Sequence, residues 1–152
     1  MEIKTKSFTL SALVKGEESS SKLAIVLPGR LDSKEYAHTF SHVDYLSKNG
    51  FYSITFDPPG TWDSDGPIDI YTTTNYIKAV NELIEYFGNR ETLLVGFSRG
   101  GATSMLCASN PSVIGIAVTM ATFGNPTPPS EEDIQRGFKL SNRDMPPGDK
   151  KT

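Results

Sequence analysis

Short apolar runs alternate with amphipathic segments along most of this chain, and this alternation limits the folds that it can adopt. The runs KLAIVL, FYSITF, TLLVGF and VIGIAVTM have the length of single strands and contain few polar residues. Strands that are apolar throughout are typical of parallel sheets, because helices cover such sheets on both faces. An earlier run, residues 7–13, alternates polar and apolar side chains and predicts a half-exposed strand.

The segment 72–88 has the clearest helical pattern in the chain. Its threonines or Asn75 can cap the start of a helix, and Gly88 suits its end. Apolar residues recur at helical spacing and form one stripe. The stripe consists of Tyr76, Ile77, Val80, Leu83, Ile84 and Phe87.

Two further helices are predicted between the apolar runs. One covers residues 33–50 and ends at Gly50, and the other begins just after Ser98 and stops before Pro111. Regular alternation of strand and helix is the signature of a sheet whose parallel strands are joined by right-handed crossovers. The sequence therefore predicts an α/β fold with a mostly parallel sheet and crossover helices.

Composition excludes several classes of function. A chain of 152 residues with 37% hydrophobic content fits one domain. The net charge is −3 and the basic residues are not collected into a stripe, so nothing in the sequence favours binding of nucleic acid. No apolar run approaches the roughly 18–20 residues of a membrane span. The one cysteine, Cys107, cannot form an internal disulfide and fits a small core residue. With no apolar segment typical of a signal peptide at the amino terminus, we expect a cytoplasmic location.

The character of the chain changes near its carboxyl end. We assign residues 1–123 to the core domain and residues 124–152 to a tail rich in proline and charge, in which only residues 134–140 have a helical pattern. The tail does not resemble the end of a domain. The last strand, residues 113–120, would lie at an open sheet edge, which would permit a dimer, although further strands of the same protein are the favoured partner.

The stretch from Gly96 to Gly100 reads G-x-S-x-G, with Ser98 at its centre. A buried-type strand precedes it and a helix rich in small residues follows, as a strand–turn–helix elbow requires. Glycines on either side of such a serine remove the side chains that would collide at a sharp turn. Ser98 would then point out at the carboxyl end of the sheet and could act as a nucleophile.

Other interpretations of this stretch involve no nucleophile. A glycine-rich turn could carry an incidental serine, and a phosphate-binding loop or a Rossmann-like nucleotide site would suit the same alternation of strands and helices. Neither G-x-x-x-x-G-K-[ST] nor G-x-G-x-x-G occurs in the chain, however. The sequence predicts no cofactor and no metal site.

Three stretches, taken in chain order, together resemble the α/β-hydrolase fold family over roughly residues 7–120. The first, AIVLPGRLDSKEY, is similar to the family's first parallel strand and oxyanion loop, with Pro28 at the common histidine position and Gly29 at the glycine. The resemblance implies that the backbone N–H of Arg30, or of Leu31, is one oxyanion donor and that of Arg99 the other. Two such donors contribute much of the catalysis of acyl transfer. The third stretch is the serine motif itself.

The second stretch, FDPPGTWDSDG, is similar to a family loop that shapes the site. Pro59 and Trp62 replace the usual arginine and glycine of this loop. The resemblance implies a structural role for Asp57, and it places Trp62, together with Leu31 and Phe97, where a substrate would bind. The positions that match the family's spacing are Asp57, Gly60, Ser64 and Gly66.

The family's catalytic triad runs in the order serine, acid, histidine, yet no histidine follows Ser98 in this sequence. His38 and His42 lie four residues apart on one predicted helix and fit ordinary helix residues better than a base or a metal site. A charge run could supply the acid, but it fits a solvated surface better. That run is Glu131, Glu132 and Asp133.

The resemblance therefore implies a hydrolase core that is truncated before the family's last strands, with the tail as the start of a cap or lid. We expect a serine hydrolase (an esterase, thioesterase or peptidase-like enzyme) that acts on a small acyl substrate through an acyl-enzyme at Ser98. The triad histidine and acid are expected outside this chain. The alternative is a non-catalytic hydrolase-like module that binds a small acyl ligand or a protein partner.

Overall fold

The computed structural model describes residues 1–121, in which three α-helices flank a six-stranded sheet. A short 3₁₀ helix, Ile68–Ile70, precedes the second α-helix. The helices are α1 (Ala37–Lys48), α2 (Thr73–Tyr86) and α3 (Arg99–Leu106). The strands are β1 (Glu2–Lys4), β2 (Thr9–Lys15), β3 (Lys22–Leu27), β4 (Tyr52–Phe56), β5 (Glu91–Phe97) and β6 (Val113–Thr119).

The sheet is mostly parallel, as the apolar runs predict. Its strand order is β1-β2-β4-β3-β5-β6, with β1 and β2 antiparallel to their neighbours and β3 to β6 parallel. Each connection between parallel strands that are consecutive in sequence, from β3 to β6, contains one α-helix. The predicted α/β fold class is therefore confirmed.

Two apolar layers cover the two faces of the sheet. Because side chains alternate along a strand, Ile25 of β3 points to the layer of α2 and α3, whereas Val26 points to the layer of α1. The α2 layer is the larger and contains Tyr76 and the predicted stripe, together with Cys107 of the α3 segment. Cys107 is 1% exposed, which confirms it as a core residue, and burial raises the pKa of its thiol to about 11.

Backbone conformation and hydrogen bonds explain where the observed elements differ from the predicted ones. Helix α1 begins at Ala37 and not near residue 33, because Tyr36, the residue before it, has an extended backbone with ψ 138°. Strand β2 begins at Thr9 and not at residue 7, because the N–H and hydroxyl of Ser7 both donate to Glu82. Strand β1 was not predicted, since three residues are too short for a clear pattern.

Glu82 of α2 holds the amino-terminal turn through three hydrogen bonds. Its carboxylate accepts from the Thr5 hydroxyl at 2.7 Å, from the Ser7 hydroxyl at 2.7 Å and from the Ser7 N–H at 2.9 Å. Burial opposes the charge, but these hydrogen bonds outweigh burial and lower the pKa of Glu82 below its ordinary value of 4.5. The charged form therefore stabilises the fold.

We expect acid to remove this contribution of Glu82. A lowered folded-state pKa means that the stabilisation is complete above the unfolded pKa and is lost as pH falls through the folded one. Glu82→Gln should cost about 1.5–3 kcal/mol of unfolding free energy at pH 7 and much less at pH 3, measured by urea unfolding. Glu91→Gln, which alters an exposed carboxylate at the start of β5, is the control and should change the unfolding free energy by less than about 0.5 kcal/mol. An equal loss at both pH values for Glu82→Gln would contradict this prediction.

Strand β6 forms one of the two edges of the described sheet. It pairs only with β5 among residues 1–121, and Ile114 and Val118 are 55% and 36% exposed. The predicted boundary at residue 123 and the tail 124–152 lie outside the described residues. None of the helices within residues 1–121 has the length and apolar character that crossing a membrane would require.

Candidate active site

The topology creates a crevice at the carboxyl ends of β3 and β5. From β3 the chain passes to β4 on one side, and it returns to β5 on the other side of β3. Connections that leave neighbouring strands in opposite directions leave a crevice between them, where α/β proteins bind ligands. The register pairs Leu27 with Gly96, so the loops that follow β3 and β5 begin side by side.

Ser98 occupies the junction between β5 and α3. Its backbone has φ 47° and ψ −113°, a conformation that residues other than glycine rarely adopt. The Ser98 N–H donates to the Thr119 carbonyl at 3.0 Å, and its own carbonyl accepts the first hydrogen bond of α3, from Ala102, at 3.1 Å. These bonds hold a half-buried serine in a strained turn at the edge of the crevice.

The two glycines of the motif are required by close backbone packing. A Cβ atom at Gly96 would collide with the Gly100 carbonyl group and lie 2.5 Å from the Ser104 hydroxyl oxygen. A Cβ atom at Gly100 would collide with the Leu27 carbonyl and lie 2.5 Å from the Pro28 carbonyl oxygen. The start of α3 is therefore pressed against the loop that follows β3, which brings Ser98 close to that loop.

The loop after β3 makes a turn of unusual conformation at Leu31. The φ angle of Leu31 is 58°, and its N–H donates a long hydrogen bond, 3.4 Å, to the Tyr71 hydroxyl. Arg30 is exposed, and within residues 1–121 its backbone N–H has no acceptor. The Arg99 N–H also lies ahead of the hydrogen-bond ladder of α3, which begins at Ala102. Both predicted donor positions thus have backbone N–H groups outside the regular hydrogen bonding.

Leu31 and Trp62 form a buried cluster beside this turn. Each is 8% exposed, and they pack with Tyr36, Ile68 and Tyr71. The Trp62 indole N–H donates to the Leu31 carbonyl at 2.9 Å. Substrate contact by Leu31 and Trp62 stays a prediction, and their burial leaves little of either side chain accessible.

Asp57 and Lys34 form a buried ion pair beneath the same loop. The Asp57 carboxylate is fully buried and accepts from the Lys34 N–H at 2.9 Å and from its ammonium at 2.7 Å. The ammonium also donates to Asp63 at 2.7 Å. Burial opposes the charge on Lys34, but the two carboxylates outweigh it and raise the pKa of Lys34. These contacts confirm the structural role of Asp57.

Phe97 points toward α1 and contacts both histidines. Its ring centroid lies 5.3 Å from that of His38 and 4.9 Å from that of His42, each at a steep interplanar angle. The His38 Nε2 atom is 3.4 Å from a carboxylate oxygen of Asp32. The two histidines share one face of α1, as their spacing predicts. Among the described residues, no group of three histidine, cysteine or acidic side chains could hold a metal ion.

Arg99 extends across the crevice from the residue after Ser98. Its guanidinium lies 4.0 Å from the centroid of the Tyr71 ring and donates to the Tyr71 carbonyl at 3.3 Å. Tyr71 thereby contacts both loops that border the crevice. Tyr71 and Lys34 were not predicted from the sequence. Tyr71 lies outside the quoted stretches, and Lys34 lies within AIVLPGRLDSKEY but at a position to which the resemblance assigns no role.

A family model agrees with this architecture. The model described as the α/β-hydrolase fold matches residues 24–143, which include most of β3, all of β4 to β6 and both loops of the crevice. The chain belongs to the α/β-hydrolase fold family. No match was found among curated proteins.

Solved structures of α/β hydrolases share the fold of this chain. The thioesterase domain from the curacin biosynthetic pathway has a TM-score of 0.70 at 14% identity, with 94% of this chain and 52% of that one covered. An α/β hydrolase from Sphaerobacter thermophilus has a TM-score of 0.67 at 21% identity, covering 94% and 54%. Est1E from Butyrivibrio proteoclasticus, solved with ferulic acid, has a TM-score of 0.63 at 23% identity, covering 71% and 46%. This α/β hydrolase chain spans about half the length of these structures.

Proposed function

We propose that the protein to which this chain belongs is a serine hydrolase that cleaves a carboxylic ester, thioester or amide through an acyl-enzyme at Ser98. The strained conformation of Ser98, between β5 and α3 at the edge of the crevice, is the observation that carries the proposal. Such a turn exposes the hydroxyl of a serine nucleophile while the surrounding backbone stays packed. An esterase and a thioesterase domain among the similar structures support this substrate class.

The first chemical step would form an ester bond to Ser98. Its Oγ attacks the substrate carbonyl carbon and its proton passes to a general base, which leaves a tetrahedral intermediate with a negatively charged oxygen. The intermediate collapses and expels an alcohol, thiol or amine, which takes the proton from the base. Water then hydrolyses the acyl-enzyme by the same route and releases the carboxylic acid.

The backbone N–H groups of Arg30 and Arg99 are the proposed donors to the negatively charged oxygen. Support comes from their places on the loop after β3 and at the start of α3, which pack closely against each other, and from the fact that neither N–H has an acceptor within residues 1–121. Donors that are already in position need no reorganisation when the charge develops. The alternative donor to that of Arg30 is the Leu31 N–H, which donates a hydrogen bond to the Tyr71 hydroxyl at 3.4 Å.

The general base and the acid are proposed to come from residues beyond the 152 of this sequence. His38 and His42, the two histidines of the sequence, lie on α1 and both pack against Phe97 of β5. His38 is also close to the carboxylate of Asp32. The family's order, in which the acid and the histidine follow the serine, supports this proposal. Glu131, Glu132 and Asp133 lie outside the described residues, as does any lid formed by the tail.

Labelling of the full-length protein with a fluorophosphonate tests this proposal. The reagent phosphonylates a serine only where a base and an oxyanion site activate its hydroxyl. We expect one adduct per molecule, located on Ser98 by peptide mass spectrometry, and none in a heat-denatured control. A folded full-length protein that remains unlabelled would contradict the proposal and would favour the non-catalytic module that binds an acyl ligand.

A further inference from the structure

We propose that Trp62 is a positioning residue, which holds the loop after β3 in the conformation that presents its N–H groups to the oxyanion. This inference rests on the proposed function. In this role the indole N–H of Trp62 holds the Leu31 peptide group in position through a hydrogen bond. Substrate contact is not needed for this task, since the Trp62 side chain is almost fully buried.

The conformation of the loop depends on the contacts that surround it. Leu31 has a φ of 58°, which an isolated leucine avoids because its Cβ is crowded by the backbone. A residue persists in such a conformation only where its surroundings hold it there. The peptide groups on either side of Leu31 are therefore sensitive to the loss of any contact that fixes them.

The loop after β4 supplies that support at two points. The Trp62 indole N–H donates to the Leu31 carbonyl at 2.9 Å, and Asp57 accepts from both the backbone and the ammonium of Lys34, three residues further on. The ion pair fixes the far end of the loop, and the indole fixes the turn itself. Trp62 also has a positive φ, 45°, so its own backbone conformation likewise depends on the contacts around it.

Of these two contacts, only the one made by the indole can be removed without leaving a buried charge. Loss of Asp57 would leave the buried Lys34 ammonium without its one buried partner, and such a change would disturb the whole fold. Replacing the indole N–H by a sulfur atom preserves the ring system and its packing with Leu31 and Tyr36. The change tests the hydrogen bond alone.

The decisive variant is full-length protein in which Trp62 is replaced by β-(3-benzothienyl)alanine, with Trp62→Phe as a genetically simpler companion. We expect kcat toward an activated ester to fall at least about tenfold while KM changes by less than about twofold, because oxyanion binding develops in the transition state. A boronic acid, which forms a tetrahedral adduct with the serine, should bind more weakly by a similar factor. The midpoint of thermal unfolding should fall by only a few degrees in the benzothienyl variant, as expected for the loss of one buried hydrogen bond.

Thr92→Val is the matched control. It removes a hydrogen bond made by another buried side chain, from the Thr92 hydroxyl to the Arg90 carbonyl at 2.7 Å, at the opposite end of β5. This variant should lower thermal stability without lowering kcat. An unchanged kcat in the folded benzothienyl variant would overturn the inference about Trp62 while leaving Ser98 as the nucleophile. Activity that survives Ser98→Ala would instead overturn the proposed function.

Discussion

Replacing Ser98 with alanine is expected to lower kcat/KM of the full-length protein by about 10⁴-fold or more. The substitution removes the atom that forms the acyl-enzyme, so only substrate binding and oxyanion stabilisation remain. Because Ser98 is half-buried in a turn held by backbone hydrogen bonds, its loss should leave the fold intact. Initial rates on an activated ester, with circular dichroism on the same samples, measure both effects.

Ser112→Ala is the control for this substitution. Ser112 lies before β6 at the amino end of the parallel strands, and its hydroxyl donates to the Asn89 carbonyl at 3.3 Å. The Ser112→Ala substitution removes a serine hydroxyl oxygen far from the crevice and should change kcat/KM by less than about twofold. Equal activity of the Ser98→Ala and Ser112→Ala proteins would exclude Ser98 as the nucleophile.

The second large effect is expected for Gly100→Ala. The added methyl group would collide with the Leu27 carbonyl oxygen and lie 2.7 Å from the Leu27 carbonyl carbon. This carbonyl group cannot move without shifting β3. Overpacking of this kind costs about 1–3 kcal/mol and occasionally more, and we expect a loss of about 3 kcal/mol here. The start of α3 should separate from the loop after β3, so ester hydrolysis should be lost as well. Urea unfolding measures the first effect and initial rates the second.

Gly115→Ala provides the matched comparison. Gly115 lies in β6, and its added methyl group would meet only the end of the Leu93 side chain, at 3.3 Å. A flexible side chain can yield by a few tenths of an ångström, so this change should cost less than about 1 kcal/mol. If Gly100→Ala were as stable and as active as Gly115→Ala, the close contact between α3 and the loop after β3 would be refuted.

The centre of the sheet could be predicted from the sequence because β3, β4 and β5 are buried on both faces. Five of the apolar or alternating runs correspond to strands, and the run KLAIVL coincides with β3, Lys22–Leu27, at both ends. Parallel strands of this kind differ sharply in hydropathy from the loops around them. Strand β1 escaped prediction because its stability depends on pairing with β2, which no local pattern reveals.

The candidate site could be predicted only where a motif marks it. Gly96, Ser98 and Gly100 form a pattern whose spacing follows from backbone crowding, and the structure places them at that turn. The contact of Trp62 with Leu31 joins residues that are far apart in sequence, and Lys34 is buried only because Asp57 and Asp63 surround it. Such contacts depend on how two loops meet in space, so a single sequence does not disclose them.

Trapping of the acyl-enzyme tests the central claim most directly. Full-length protein is mixed with p-nitrophenyl acetate, quenched in acid at intervals shorter than one turnover, and digested for mass spectrometry. The account predicts an acetyl group on the peptide that contains Ser98, which appears with the first release of nitrophenol and disappears once the ester is consumed. Rapid turnover with no acetyl group on Ser98 at any interval would contradict it.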